Sequence, residues 1–128
     1  MRTPPFLELD EVLALHADQI RRYGGRPGLR DLGLLQSALA TPKASFDGAY
    51  LHTTVFEMAA AYLFHIVQNH PFVDGNKRVG LMAAVVFVAL NDLRLDADPD
   101  DLVSLVMGVA TGRASKAEVT VFLQAHSH

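Results

Sequence analysis

Residues 54–91 read TVFEMAAAYLFHIVQNHPFVDGNKRVGLMAAVVFVALN, two apolar blocks joined by a short polar segment from His70 to Arg78. The first block, Thr54 to Asn69, is apolar nearly all round, with Val55, Phe56, Met58, Ala59 to Ala61, Leu63, Phe64, Ile66 and Val67. The second, Asn76 to Asn91, has the same character. A helix without a polar face is stable only when other helices surround it, so both blocks are predicted as central helices of a bundle. Pro71 disfavours helical geometry at the residue before it, so the first helix is predicted to end near His70. The uncharged run Val79 to Leu90 is too short for a membrane-spanning helix, which needs about 20 residues.

Outward from this pair the chain reads as shorter helices and turns. Leu9, Val12, Leu13, Leu15 (beside His16) and Ile20 fall near one face at helical spacing, with Glu8, Asp10 and Glu11 where the helix dipole favours negative charge. Tyr23-Gly24-Gly25 breaks that helix and Pro27-Gly28 continues the turn. A short helix is predicted over Asp31 to Ala40, with Leu32, Leu35 and Leu39 facing inward and Pro42 as its stop. Pro42 to Thr53 has no sustained periodicity and reads as an irregular or briefly extended flap carrying Phe46 and Tyr50. Asp98 followed by Pro99 opens a helix through Leu102, Val103, Leu105 and Val106. Ser115 with Glu118 makes a capping-box pattern ahead of Val119, Phe122 and Leu123. The expected fold is all-α: a compact single-domain bundle of about six helices over residues 1–128, its core over about 7–125.

Composition narrows the function. The chain has no cysteine, which removes disulfides, thiol catalysis and thiolate metal sites and fits a reducing compartment. The formal net charge is −3 with acidic residues spread along the chain, which argues against direct nucleic-acid binding but leaves room for a local basic pocket. The opening residues MRTPPFLELDEV lack the basic start and apolar run of a secretory signal, so the expected location is cytoplasmic, with no membrane association.

The segment His70-Pro71-Phe72-Val73-Asp74-Gly75-Asn76-Lys77-Arg78 carries the chemistry. The amides of a helix start are unpaired and form an anion site, and Asn76, Lys77 and Arg78 add donor side chains there. A phosphate chain suits that combination. Asp74 lies just before it, where a carboxylate is placed to hold Mg²⁺ bridging phosphate oxygens. His70 is the group of the segment that titrates near neutral pH, and so is the candidate to take a proton from an attacking hydroxyl. Phe72 is the expected anchor of the loop. Taken singly, each residue has an ordinary structural reading: Asp74 as an N-cap, Gly75 as a turn, Lys77 and Arg78 as a solvated turn. Taken together they are harder to dismiss, because basic residues in a first turn oppose the helix dipole unless an anion is bound.

At these residues the chain resembles the Fic/Doc superfamily, and within it the death-on-curing (Doc) toxin branch. The family pattern is His-x-Phe-x-Asp/Glu-Gly/Ala-Asn, followed by Gly-Arg in Fic enzymes and by Lys-Arg in Doc toxins. Here His70, Phe72, Asp74, Gly75, Asn76, Lys77 and Arg78 fill every defining position. The turn from Arg22 to Gly28 and the stretch Ala110-Thr111-Gly112 are also similar to Doc proteins, so the likeness runs from about Leu9 to about Leu123. The resemblance implies the toxin half of a type II toxin–antitoxin system, restrained by a separate small antitoxin. Doc-type toxins are understood as kinases that transfer the γ-phosphate of ATP to a threonine of elongation factor Tu and arrest translation. On that basis His70 is the general base, Asp74 the Mg²⁺ ligand, and Gly75, Asn76, Lys77 and Arg78 the phosphate-holding group.

The resemblance leaves alternatives open. Lys77 replaces the small glycine of the AMP-transferring enzymes, and Leu81 stands where they carry a second arginine; both differences favour phosphate transfer. Pro71 and Gly75 look more Fic-like, which keeps transfer of AMP to a protein hydroxyl as the runner-up. A catalytically silent module that binds antitoxin or nucleotide is the reading from another class, opposed by the intact His70 and Asp74. The family's inhibitory pattern Ser/Thr-x-x-x-Glu-Gly/Asn is approached at Thr53 to Glu57, but Met58 follows, so no built-in inhibitor is expected. His65 lies five residues before His70, a spacing that puts the two on different faces, and is expected to be part-buried and hydrogen-bonded rather than a metal ligand. Arg21, Arg22 and Arg26 are expected to be solvated, and the flap to align the target segment.

Overall fold

Local capping chemistry decides where most of the helices begin. In a computed structural model describing residues 3–128, the described residues form six α-helices: α1 (Leu9–Tyr23), α2 (Leu32–Ala40), α3 (Val55–Asn69), α4 (Asn76–Leu90), α5 (Pro99–Ala110) and α6 (Lys116–His126). Met1 and Arg2, part of the expected domain and of the leader reading, lie outside the described residues. Glu8 with Glu11 closes a capping box on α1, and Ser115 with Glu118 closes another on α6. Asp31, Thr54 and Asp98 each accept a first-turn amide with the side chain. The architecture is the all-α bundle the sequence predicts, and no described helix is long and apolar enough to cross a membrane.

The two apolar blocks become α3 and α4, antiparallel neighbours at the centre. Ala59 to Leu63 and Ile66 on α3, with Val79, Ala83, Ala84, Phe87 and Val88 on α4, are fully buried. Gly80 sets how closely they approach: a Cβ there would lie 2.8 Å from the Val67 side chain and 3.2 Å from the Leu63 carbonyl. Helices α2, α5 and α6 pack on α3, and α1 packs on α4. Tyr62, buried within α3, accepts a hydrogen bond from the Leu7 amide at 2.9 Å and ties down the segment before α1. Burial pushes its hydroxyl up to about 12.

One expectation needs correction. On α2 the inward stripe is Leu35, Ala38 and Leu39, while Leu32 is 45% exposed because the first turn projects beyond the core. On α5, Leu105, Val106 and Val109 are buried and Val103 is 58% exposed, the split that 3.6 residues per turn imposes on the run from Leu102. The briefly extended flap takes the form of an antiparallel hairpin, β1 (Ser45–Phe46) with β2 (Ala49–Tyr50), entered through a 3-10 turn at Thr41–Lys43. Asp47 and Gly48 both have positive φ (52° and 81°), as a two-residue hairpin turn requires. Tyr50 packs edge-on against Phe6, whereas Phe46 is 76% exposed.

Candidate active site

The α3–α4 connection is held in shape by its own polar atoms. His70 ends α3 in the left-handed region (φ 51°, ψ 54°), and Phe72 is 1% exposed, the anchor its apolar side chain implies. The Asn76 side chain closes the loop on Phe72 in both directions: the Phe72 amide donates to Oδ1 at 2.9 Å, and Nδ2 donates to the Phe72 carbonyl at 3.0 Å. Gly75, at φ 78°, precedes α4 without a side-chain cap on the first-turn amides. The helix start therefore offers uncapped donors next to Lys77, which is exposed.

The turn between α1 and α2 is clasped against this loop along its length. The amides of Arg30 and Asp31 both donate to the Pro71 carbonyl, at 2.7 and 2.9 Å, and the Val73 amide donates to the Gly28 carbonyl at 3.0 Å. The Arg30 guanidinium reaches the carbonyls of His70 (2.7 Å) and Asn69 (3.0 Å). Asp74 accepts from the Arg26 amide at 3.0 Å and the Gly75 amide at 2.8 Å. These two amides, with Arg78 and Lys77 nearby, hold the Asp74 carboxyl below its usual range. Arg78 donates to the carbonyls of Gln19 (3.2 Å) and Gly24 (2.8 Å), which aims it at the turn. His16, buried on α1, supports the loop from below through Phe72 and the Asp74 carbonyl.

His70, Asp74, Gly75, Asn76 and Lys77 meet around one cleft of about 200 Å³, completed by Val67, Gln68 and Ala110. Arg78 is not among its walls; with Lys77, Leu81, Val103, Val106 and Met107 it borders an adjoining apolar groove. Of the expected phosphate-holding side chains, Lys77 is thus the one the cleft leaves free, while those of Asn76 and Arg78 are engaged with backbone. A larger cavity of about 580 Å³ lies by the hairpin, among Pro4, Ser45, Tyr50, Thr53 and Met58, and among the described residues its walls carry no carboxylate, histidine or cation. The smaller cleft is the one that brings together a histidine, a carboxylate and a free ammonium.

The remaining candidates settle into structural roles. Glu57 folds back on Thr53 and Thr54, so the Thr53–Glu57 resemblance to an inhibitory pattern is a helix start. His65 and His52 both face the Lys116 ammonium at 3.1 Å, so each turns an Nε2 lone pair toward it. Arg21 and Arg22 pair with Asp18 on the α1 surface. Sequence reading missed His16 and Arg30. A histidine on an apolar face and an arginine in a turn carry no motif, and their partners lie 58 and 40 residues away.

Comparison with known proteins agrees with this geometry. The model of the Fic/DOC family matches residues 6–88, which include the loop from His70 to Arg78 and the turn clasped to it. The chain is 37% identical over 111 residues to the protein kinase doc of Escherichia phage P1, covering 86% of each chain. It is 41% identical over 95 residues to the toxin Doc of Mycolicibacterium smegmatis, covering 74% of this chain and 71% of the relative. With the helical bundle, the motif-bearing loop and the extent of the match in agreement, the chain belongs to the Fic/DOC family.

Proposed function

We propose that this protein is the toxin of a type II toxin–antitoxin pair and acts as a Mg²⁺-dependent protein kinase. It transfers the γ-phosphate of ATP to a threonine or serine hydroxyl of a translation factor, elongation factor Tu being the candidate target. The observation that carries the reading is the convergence of His70, Asp74 and Lys77 on one cleft at the start of α4. The relative named a protein kinase, alike over most of both chains, supports phosphate rather than AMP as the transferred group.

The roles follow from the side chains. His70, exposed at the mouth of the cleft, accepts the proton of the target hydroxyl as its oxygen bonds to the γ-phosphorus. The bond from that phosphorus to the β–γ bridging oxygen breaks, and ADP leaves. Lys77 and the amides of Asn76 and Lys77 receive the phosphate oxygens, while the Gly75 amide holds the Asp74 carboxylate beside them. Asn76 contributes by holding the loop, and Arg78 by fixing the turn against it. Asp74 fits Mg²⁺: its carboxylate is ionised and keeps lone pairs beyond the two amides it accepts. When bound, the ion would neutralise phosphate charge. The separate antitoxin would restrain the enzyme by covering this cleft.

The test is transfer from ATP labelled at the γ- or the α-phosphate, with Mg²⁺ and purified elongation factor Tu, beside a His70→Ala control. Label moving from the γ-position alone, lost in the control, is the expected result. Label from the α-position would make this an AMP transferase, and no transfer from either would exclude this target.

A further inference from the structure

We propose that Arg30 is a positioning residue for His70: its guanidinium holds the histidine's main chain in the left-handed geometry that directs the imidazole toward the cleft. The proposal rests on His70 being the proton acceptor, and it adds a group from a different segment of the chain to that assignment.

His70 occupies a backbone conformation, at φ 51°, that L-residues rarely adopt and that costs free energy to hold. Its own amide closes the helix on the Ile66 carbonyl at 3.2 Å, but its carbonyl finds no partner within residues 69–71. Pro71 follows, and it brings no amide to the helix end. Two carbonyls of the α3 terminus, Asn69 and His70, sit at the negative end of the helix dipole. Arg30 answers both with one planar fork, Nε donating to the His70 carbonyl at 2.7 Å and Nη2 to the Asn69 carbonyl at 3.0 Å. Its own amide then donates to the next carbonyl, that of Pro71, at 2.7 Å. Three successive carbonyls, 69 to 71, thus converge on a single residue, and the middle one belongs to the candidate base.

The guanidinium is exposed, so its contribution to global stability is small and its effect is local. Lysine cannot replace it, because one ammonium lacks the fixed fork that serves two carbonyls in one plane. Asn69 is independently held through its Nδ2 donating to the Leu34 carbonyl at 3.0 Å. Loss of Arg30 therefore releases His70 rather than the end of the helix.

The experiment compares wild type, Arg30→Ala, Arg30→Lys and His70→Ala in steady-state transfer, with main-chain scalar couplings and carbon shifts of His70 read by NMR. Arg30→Ala is expected to lower kcat by about a hundred-fold while KM for ATP stays within about two-fold, because misplacing a reacting group by an ångström costs on that order. The His70 couplings should leave their left-handed values in the same variant. Low millimolar guanidinium should restore part of kcat in Arg30→Ala and none in His70→Ala. Wild-type kcat in Arg30→Ala, or unchanged His70 couplings, would overturn the proposal. Should His70→Ala transfer as fast as wild type, the base assignment fails instead, and the couplings alone still decide whether Arg30 sets the geometry of residue 70.

Discussion

The imidazole of His16 lies face to face on the ring of Phe72, centroids 3.8 Å apart and planes 7° from parallel, while its Nε2 lies 2.8 Å from the Asp74 carbonyl. A carbonyl only accepts, so the ring carries its proton on Nε2. One side chain of α1 thereby supports both the hydrophobic anchor of the loop and the main chain of its carboxylate residue.

That double contact separates into two measurable parts. His16→Ala removes the buried ring and the donor, and should lower unfolding free energy by about 2–4 kcal/mol in denaturant titration. His16→Phe keeps a ring on Phe72 and loses only the donor, so its loss should be about 1 kcal/mol. Equal losses in the two variants would mean that the stack contributes nothing.

Gly25 and Gly24 form a matched pair for testing the clasp between turn and loop. Both have positive φ, 118° and 80°, so alanine strains the backbone at either. At Gly25 a Cβ would also lie 2.9 Å from Asp74 Oδ2 and 2.9 Å from Arg78 Nη2, whereas at Gly24 nothing lies within 4 Å. Gly24→Ala should cost about 1 kcal/mol and leave transfer activity near wild type. Gly25→Ala should displace the Asp74 carboxylate and cut activity at least about ten-fold, since the site tolerates little misplacement. Activity in Gly25→Ala matching that of Gly24→Ala would show that the turn does not govern Asp74.

Much of this could be read from sequence because its causes are local. The apolar blocks on either side of His70 to Arg78 gave α3 and α4, and the caps at Asp98 and Ser115 placed α5 and α6. Five motif residues, His70, Asp74, Gly75, Asn76 and Lys77, meet at one cleft because the nine positions from His70 to Arg78 span a single helix–loop–helix corner. Illegible were the contacts that cross the chain: His16 to Asp74, Arg30 to His70, and Lys116 to His52 and His65. Nor did side-chain chemistry alone show that the Asn76 amide and the Arg78 guanidinium are engaged by backbone, since both are ordinary phosphate donors. The hairpin was missed although Asp47-Gly48 is a recognised turn pair, because strands of two residues show no alternation.

The His52–Lys116–His65 cluster predicts an acid-sensitive fold. Burial first, then the Lys116 charge, pushes His65 down to about 4 from the ordinary 6.5, and His52 is lowered by the same two causes. The unfolded chain therefore binds protons at these sites that the folded chain refuses, so the contribution of the two histidines to stability is lost as pH drops from about 6.5 toward 4 and is constant above. Lys116→Met removes the second cause and leaves the first. In that variant the His65 ring resonances should titrate at higher pH than in wild type, and the loss of stability between pH 7 and 5 should shrink. An unmoved His65 titration would leave burial as the sole cause.

Asn76 separates a loop brace from a phosphate ligand. Its amide satisfies the amide and the carbonyl of buried Phe72, and Asn76 is itself 5% exposed. Alanine would leave both Phe72 groups without partners, at about 1–3 kcal/mol each before relaxation. Asn76→Ala should therefore lower unfolding free energy by about 2–4 kcal/mol, and any loss of ATP affinity should accompany that loosening. Aspartate is nearly the same shape but keeps only the acceptor, and it turns an oxygen toward the Phe72 carbonyl. A brace predicts that Asn76→Asp fares no better than alanine in stability, whereas a pure phosphate ligand predicts full stability in both variants with weakened nucleotide binding. Denaturant unfolding beside ATP titration distinguishes the two. Wild-type stability in Asn76→Ala would sink the brace and return the side chain to the phosphate site.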